Sequence, residues 1–202
     1  MSSKSKLIIN CGATHISASE FGVSAGRLVL ESFQVQELKY DYSNQEEWLS
    51  ELAATLKMMR VSGKATVIAP SMLLLTKTIK IPHVDEARRA EVIQFEAEKN
   101  IPYPINEVSW DYEIISDDGV ETEIFLTSMK STAADDFCMA LSQAGVIPES
   151  IEASSILDYN AWKYCGLEND VILLNVGSRF TNLMIAREDG VFVRSIPVGG
   201  NS

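Results

Sequence analysis

The sequence predicts an α/β fold in which a compact α+β insert lies between two similar strand-and-turn units. Three observations carry that expectation. A short apolar run ending in Asn-x-Gly occurs twice, as LIINCG from Leu7 and VILLNVG from Val171, each followed by an alternating strand. Such an echo is what two duplicated lobes leave. Between the two runs lie segments whose apolar residues recur about every 3.6 positions, the period of an amphipathic helix. The third observation is EVIQFEAEKNIPYPINEVSWDY, Glu91 to Tyr112, which joins an acidic helix to two prolines and then to a strictly alternating strand. At 202 residues and 46% hydrophobic content, the chain has material for one sizeable core or two small ones.

Lys6 to Ile9 reads as a buried strand ending at Asn10, with a tight turn at Gly12. His15 to Phe21 and Arg27 to Val35 alternate and complete a meander. Asn44 and Glu47 resemble a capping box. Behind them Trp48, Leu49, Leu52, Ala53, Leu56 and Met59 recur at helical spacing towards a stop at Gly63. Ala65 to Ala69, bounded by Gly and Pro, is too short for a helix and reads as a strand. Leu73 to Ile81 is another, closed by Pro82. Asp85 is placed to cap the helix Glu86 to Lys99; Asn100 offers a left-handed exit and Pro102 prevents continuation.

On the next strand Val108, Trp110, Tyr112 and Ile114 share one face, and Ser109, Asp111 and Glu113 share the other. Asp117-Asp118-Gly119 turns it into the strand Val120 to Met129. Thr132 and Asp135 open a helix that stops at Gly145, and a short strand follows near Ser150 to Ala153. This order, strand, helix, strand, strand, helix, strand, describes the insert. Ser155 and Asp158 begin a further helix ended by Gly166. Val171 to Leu174, Thr181 to Ala186 and Val191 to Ile196 then read as strands, parted by Gly177 and by Asp189-Gly190. The first of these has a continuous apolar run, which points to a central position.

A formal net charge of −11 argues against a grip on nucleic-acid phosphates and against an anionic lipid surface. Cys11, Cys138 and Cys165 are odd in number and lack metal-type spacing, which suits a reducing compartment. MSSKSKLIIN is no secretion signal, and no apolar run is long enough to span a bilayer. A soluble cytoplasmic protein is expected.

A strand that ends in a Gly turn presents backbone N–H groups that can cradle phosphate oxygens. Hairpins at Asn10 to Thr14 and Asn175 to Asn182, if they face one another, would hold a phosphate chain from both sides. Gly12, Ala13, Thr14, Gly177 and Ser178 are small enough to allow the approach. A Gly turn after a strand also has an ordinary structural reading. Hydrolysis usually needs carboxylates to hold Mg²⁺ and orient water. The two strand ends carry neutral Asn10 and Asn175 instead, and Arg179 and Phe180 add bulk where phosphate would lie. No catalytic residue and no metal ligand is assigned. His15 and His83 lack partners at ligand spacing, Cys11 reads as a buried thiol, and Glu91, Glu96 and Glu98 read as a solvated helix face. Trp110 and Tyr112 read as core. Ile101-Pro102-Tyr103-Pro104 forms a stiff corner that either shapes a groove or simply connects helix to strand.

The run QFEAEKNIPYPINEVSWDYEII, with TKTIKIP before it and AGVIPESIEASS and TNLMIAREDGVFVRSIPVGGNS after it, resembles the PilM family of type IV pilus assembly proteins. More loosely it is similar to FtsA of cell division and GspL of type II secretion. The resemblance implies an actin-like (ribonuclease-H-like) first lobe over 1–72 and an SHS2-like insert over 73–153. A helix over 154–170 would return to the first lobe, and 171–202 would begin a truncated second lobe. The chain is therefore expected to be the N-terminal part of a longer protein.

The resemblance also implies a nucleotide site at Asn10, Gly12, Ala13, Thr14, Asn175, Gly177, Ser178 and Arg179. Where the family has Asp at each hairpin this sequence has Asn10 and Asn175, so the implied site is degenerate or regulatory. ATP and Mg²⁺ would belong to the full-length protein, with no strong binding expected of this chain. The implied partner is the N-terminal tail of a PilN-like inner-membrane protein, docked near Ile101, Pro102, Tyr103 and Pro104, with pilus platform components around it. The protein would be cytoplasmic, reach the inner membrane only through its partners, and bind no nucleic acid. Exposed strands of the second lobe would pair with another copy. The alternative is an actin-superfamily ATPase of type II secretion or cell division.

Overall fold

The computed structural model describes residues 5–40, 44–166, 170–187 and 190–201, with the side chain of Gln45 outside that set. Strand β1 (Lys6–Cys11) pairs antiparallel with β2 (His15–Ser24), which pairs with β3 (Arg27–Glu37). On its other side β1 pairs in parallel with β4 (Gly63–Ala69), and the connection carries helix α1 (Gln45–Met59). Asn44 caps α1 as expected, its Oδ1 accepting the N–H groups of Glu46 and Glu47 at 3.1 and 3.3 Å. The helix stops earlier than Gly63. Arg60 takes the left-handed turn, with φ 57°, and Gly63 instead opens β4. Trp48, Leu52 and Leu56 of α1 are fully buried in one core with Ile9, Ile16 and Val67 of the sheet.

The sheet continues through β8 (Val146–Ala153), parallel to β4, in the order β3-β2-β1-β4-β8. Here the structure corrects the expectation that residues up to 153 fold with the insert. Helix α3 (Ser131–Gln143) buries Phe137 and Leu141 in the core of α1, with the rings of Trp48 and Phe137 stacked at 5.9 Å. The apolar face of α3 and the ladder of β8 are both satisfied there. The separate layer holds β5 (Leu75–Pro82), α2 (Glu86–Asn100), β6 (Val108–Asp117) and β7 (Glu121–Lys130). Its antiparallel sheet has the order β5-β7-β6, and Ile93 and Ala97 of α2 pack on Ile79, Ile81, Ile124 and Leu126. Asn100 does not exit left-handed. It stays helical, its amide donating to Glu96 O at 2.8 Å, and Ile101 ends the helix in extended geometry. Asp85 stands at the N-cap position without a side-chain cap bond.

Helix α4 (Ser154–Tyr164) leaves β8 directly and packs Ile156, Tyr159 and Trp162 on Met184, Ala186, Val191 and Val193. Those residues belong to a second antiparallel sheet of β9 (Val171–Val176), β10 (Thr181–Arg187) and β11 (Gly190–Ile196), in the order β11-β10-β9. Its central strand is β10, not β9 as expected. The apolar run of β9 fills no two-sided core, because only one face meets α4: Ile172 is 67% exposed and Leu174 58%. The expected turn at Asp189-Gly190 lies partly outside the described residues. No helix among the described residues is long and apolar enough to cross a membrane.

Candidate functional site

Both Asn-x-Gly strand ends close the same kind of turn. Gly12 N–H donates to His15 O, and Gly177 N–H donates to Phe180 O, each at 2.9 Å. Glycine is needed for space at both: a Cβ on Gly12 would lie 2.7 Å from His15 O, and one on Gly177 would lie 2.8 Å from Phe180 O. The first turn is held from behind. The carbonyls of Gly12, Ala13 and Thr14 accept from Trp48 Nε1 (3.3 Å), Tyr40 Oη (2.6 Å) and Leu38 N–H (2.7 Å). Among the described residues, nothing accepts from the N–H of Ala13 or Thr14. The second turn is held by the segment after β11. Gly200 and Asn201 donate their N–H groups to the carbonyls of Gly177 and Ser178, both at 2.9 Å.

The two turns face one another. Thr14 Oγ1 donates to Ser178 Oγ at 2.6 Å, and His15 Nδ1 lies 2.9 Å from Thr14 Oγ1. Beside this contact opens a cavity of about 380 Å³, lined by Asn10, Gly12, Ala13, Thr14, Asn175, Gly177, Ser178 and Arg179. The structure thus brings all eight hairpin residues into one place, although the two groups are 164 residues apart at Thr14 and Ser178. Phe180 also lines the cavity, as its bulk suggests.

Sequence reasoning missed Ser71 and Ser154, named Asn182 only as the end of the second hairpin, and set His15 aside; all four line the same cavity. Asn182 stands opposite Asn175 in the β9–β10 ladder. Its Nδ2 donates to Ser154 Oγ at 2.6 Å, and its Oδ1 accepts from Ser71 Oγ at 3.1 Å. A carboxylate was missed as well. Asp158, half-buried on α4, accepts from Asn175 Nδ2 through both oxygens, at 3.0 and 3.2 Å. Burial pushes its carboxyl above the ordinary value, and the hydrogen bonds from Asn175 and Asn182 oppose that rise.

This donor set suits an anion. It offers two open backbone N–H groups, the hydroxyls of Thr14 and Ser178, and the guanidinium of Arg179. It suits a divalent cation poorly, because Asn10 and Asn175 are neutral and Asp158 already serves the Asn175 amide. No group of three or more His, Cys, Asp or Glu among the described residues is arranged to hold a metal. Cys11 is fully buried beneath the turn, and burial pushes its thiol far up, out of reach of thiolate chemistry.

The Pro corner is a separate place. Ile101, 4% exposed, is committed to a core with Ala97, Val108 and Leu126, whereas Pro102, Tyr103 and Pro104 are exposed. Lys130 Nζ lies 4.4 Å from the centre of the Tyr103 ring. Trp110, half-buried, packs against the cores beneath α2 as expected, whereas Tyr112, stacked on it at 6.4 Å and 36% exposed, does not join them.

The family model described as type IV pilus assembly protein PilM matches residues 9–202. Among solved structures, a PilM-PilN type IV pilus biogenesis complex superimposes with a TM-score of 0.78 at 20% identity, covering 96% of this chain and 62% of that one. A Bacteroides thetaiotaomicron protein with actin-like ATPase fold and unknown function gives 0.57 at 9% identity, over 98% of this chain and 72% of the other. The cytoplasmic domain of EpsL, an inner membrane component of the Vibrio cholerae type II secretion system, gives 0.53 at 9% identity, over 95% and 71%. These likenesses establish an actin-like fold. No curated protein matches the sequence.

Proposed function

The chain belongs to the PilM family of type IV pilus assembly proteins, and from that membership we propose that it is a cytoplasmic scaffold of the pilus assembly platform. In this reading it binds the N-terminal tail of a PilN-like inner-membrane protein and reaches the membrane only through that partner. The single observation that carries the reading is the family match over residues 9–202. The relative solved as a PilM-PilN complex supports the choice of partner. Pro102, Tyr103 and Pro104 are the exposed residues of the corner, so the tail is assigned there, with Ile101 as the buried footing. Pull-down with a synthetic PilN-type tail tests the assignment. Retention of the tail but not of a scrambled version is expected, and equal retention of both defeats it.

The hairpin cavity serves in this reading as a degenerate or regulatory nucleotide site. The open N–H groups of Ala13 and Thr14, with Ser178 and Arg179, would meet phosphate oxygens, while two Asn residues leave Mg²⁺ without its usual charge. The facing turns themselves favour a second reading, an actin-superfamily ATP-binding protein of secretion or division. Nucleotide titration with and without Mg²⁺ separates the two. Weak binding that ignores the metal supports the scaffold, and tight metal-dependent binding supports the ATPase. The chain spans 62% of the length of its counterpart in the PilM-PilN complex. The exposed apolar residues of β9 support pairing with a second copy, which light scattering against concentration checks.

A further inference from the structure

We propose that the free edge of β6 accepts an extended segment of a partner protein as an added strand, and that this segment alternates basic and apolar side chains. The inference rests on the partner reading of the corner, because Pro104 leads through a 3-10 turn, Ile105–Glu107, straight into β6.

Four observations carry it. Strand β6 ends its sheet, in the order β5-β7-β6, so one side of its backbone has no strand neighbour. The N–H of Tyr112 donates to Asp111 Oδ1 at 2.8 Å, a local bond that marks this donor as turned away from β7. The two faces beside the edge differ in chemistry. Trp110 and Tyr112 form a stacked, partly exposed aromatic ladder on one, and Asp111 and Glu113 stand exposed on the other. No ion pair engages either carboxylate among the described residues. The straight part of the strand runs from Val108 to Ile114. There an extra residue, Ile115, breaks the register with β7, and Ser116 pairs with Glu123.

A strand added to this edge takes its affinity from main-chain bonds and its specificity from alternate side chains. Its apolar residues would lie against Trp110 and Tyr112, and its basic residues against Asp111 and Glu113. The same charges select against a second copy of this chain, since like charges set opposite each other across a strand pair are destabilising.

The test uses the whole chain and a synthetic peptide alternating lysine and valine, long enough to span Val108 to Ile114. Saturable binding is expected, with slowed amide exchange at Trp110, Tyr112 and Ile114. Asp111→Lys combined with Glu113→Lys should weaken binding at least about tenfold, and the neutral pair Asp111→Asn and Glu113→Gln should weaken it less. Unchanged exchange at β6, or equal binding by the charge-reversed variant, overturns the proposal. A PilN-type tail supplies the second arm. If the alternating peptide leaves exchange at β6 unchanged while the tail binds, strand addition is wrong and the partner reading stands. If the alternating peptide slows exchange at β6 and the tail binds nowhere on the chain, the edge proposal stands and the partner reading fails.

Discussion

At Asn175 the amide donates to both oxygens of Asp158, at 3.0 and 3.2 Å, so this residue is more than an Asp that has lost its charge. An Asp there would set two carboxylates against each other. Asn175→Asp is expected to cost about 1 kcal/mol at neutral pH, because solvent reaches this pair and screens the repulsion between the two carboxylates. The loss should shrink in acid, as the pair takes up a proton. Adding Asp158→Asn to Asn175→Asp should recover most of it, because donor and acceptor merely change places. Urea denaturation of the two variants beside the native chain, near neutrality and near pH 4, reads both effects, and a fully stable Asn175→Asp protein would remove the argument. The pH sign for the native residue follows from its raised pKa. The folded state holds the Asp158 proton more tightly than the unfolded chain, so its contribution to stability falls as pH rises from 3.8 through the folded value. Asp158→Asn should therefore flatten the pH–stability curve in that window.

At the scale of elements, local chemistry fixed some boundaries and long-range packing fixed others. The cap at Asn44 and the two Gly turns were legible because each is decided within a few residues by hydrogen bonding or by space for a Cβ. The facing of the two turns was not legible in that way, nor was the part played by Asp158, because a residue gives no local sign of which distant element it will meet. The parallel pairing of β8 with β4 and the edge position of β9 were equally hidden, since an apolar run does not say which neighbours it will find. The end of α1 is the instructive miss. Gly63 looked like the stop, yet Arg60 adopts φ 57° and its N–H reaches Leu56 O and Lys57 O. A side chain pays there for a left-handed conformation that glycine adopts freely. Arg60→Gly is expected to raise stability by up to about 1 kcal/mol, because the relieved strain outweighs the extra freedom of the unfolded chain. Thermal unfolding checks it, and a lower midpoint would show that Arg60 contributes more through its side chain than it costs through its backbone.

Across the whole molecule, the layer that bears the Pro corner and the sheet that bears the second hairpin meet at one carboxylate. Glu123 of β7 is 6% exposed, and both its oxygens accept the N–H of Val191 at 3.1 Å, at the start of β11. The approach is close enough that a Cβ on Gly190, at φ 153°, would sit 2.9 Å from Glu123 Oε1. On the same face Phe125 joins the core of α4, β10 and β11, so polar and apolar contacts pull the two layers together. A partner bound at the corner or along β6 would then load the sheet that ends in Ser178 and Arg179. Glu123→Ala is expected to cost about 1–3 kcal/mol by stranding a buried donor, whereas Glu123→Gln keeps a carbonyl acceptor and should cost less. If the layers separate as units, amide exchange should quicken together at Val191 and Val193 and at Ile79 and Ile81 of the neighbouring strand β5. Quickening confined to Val191 would mean that Glu123 only tidies a strand end, and that the corner and the hairpin cavity move independently.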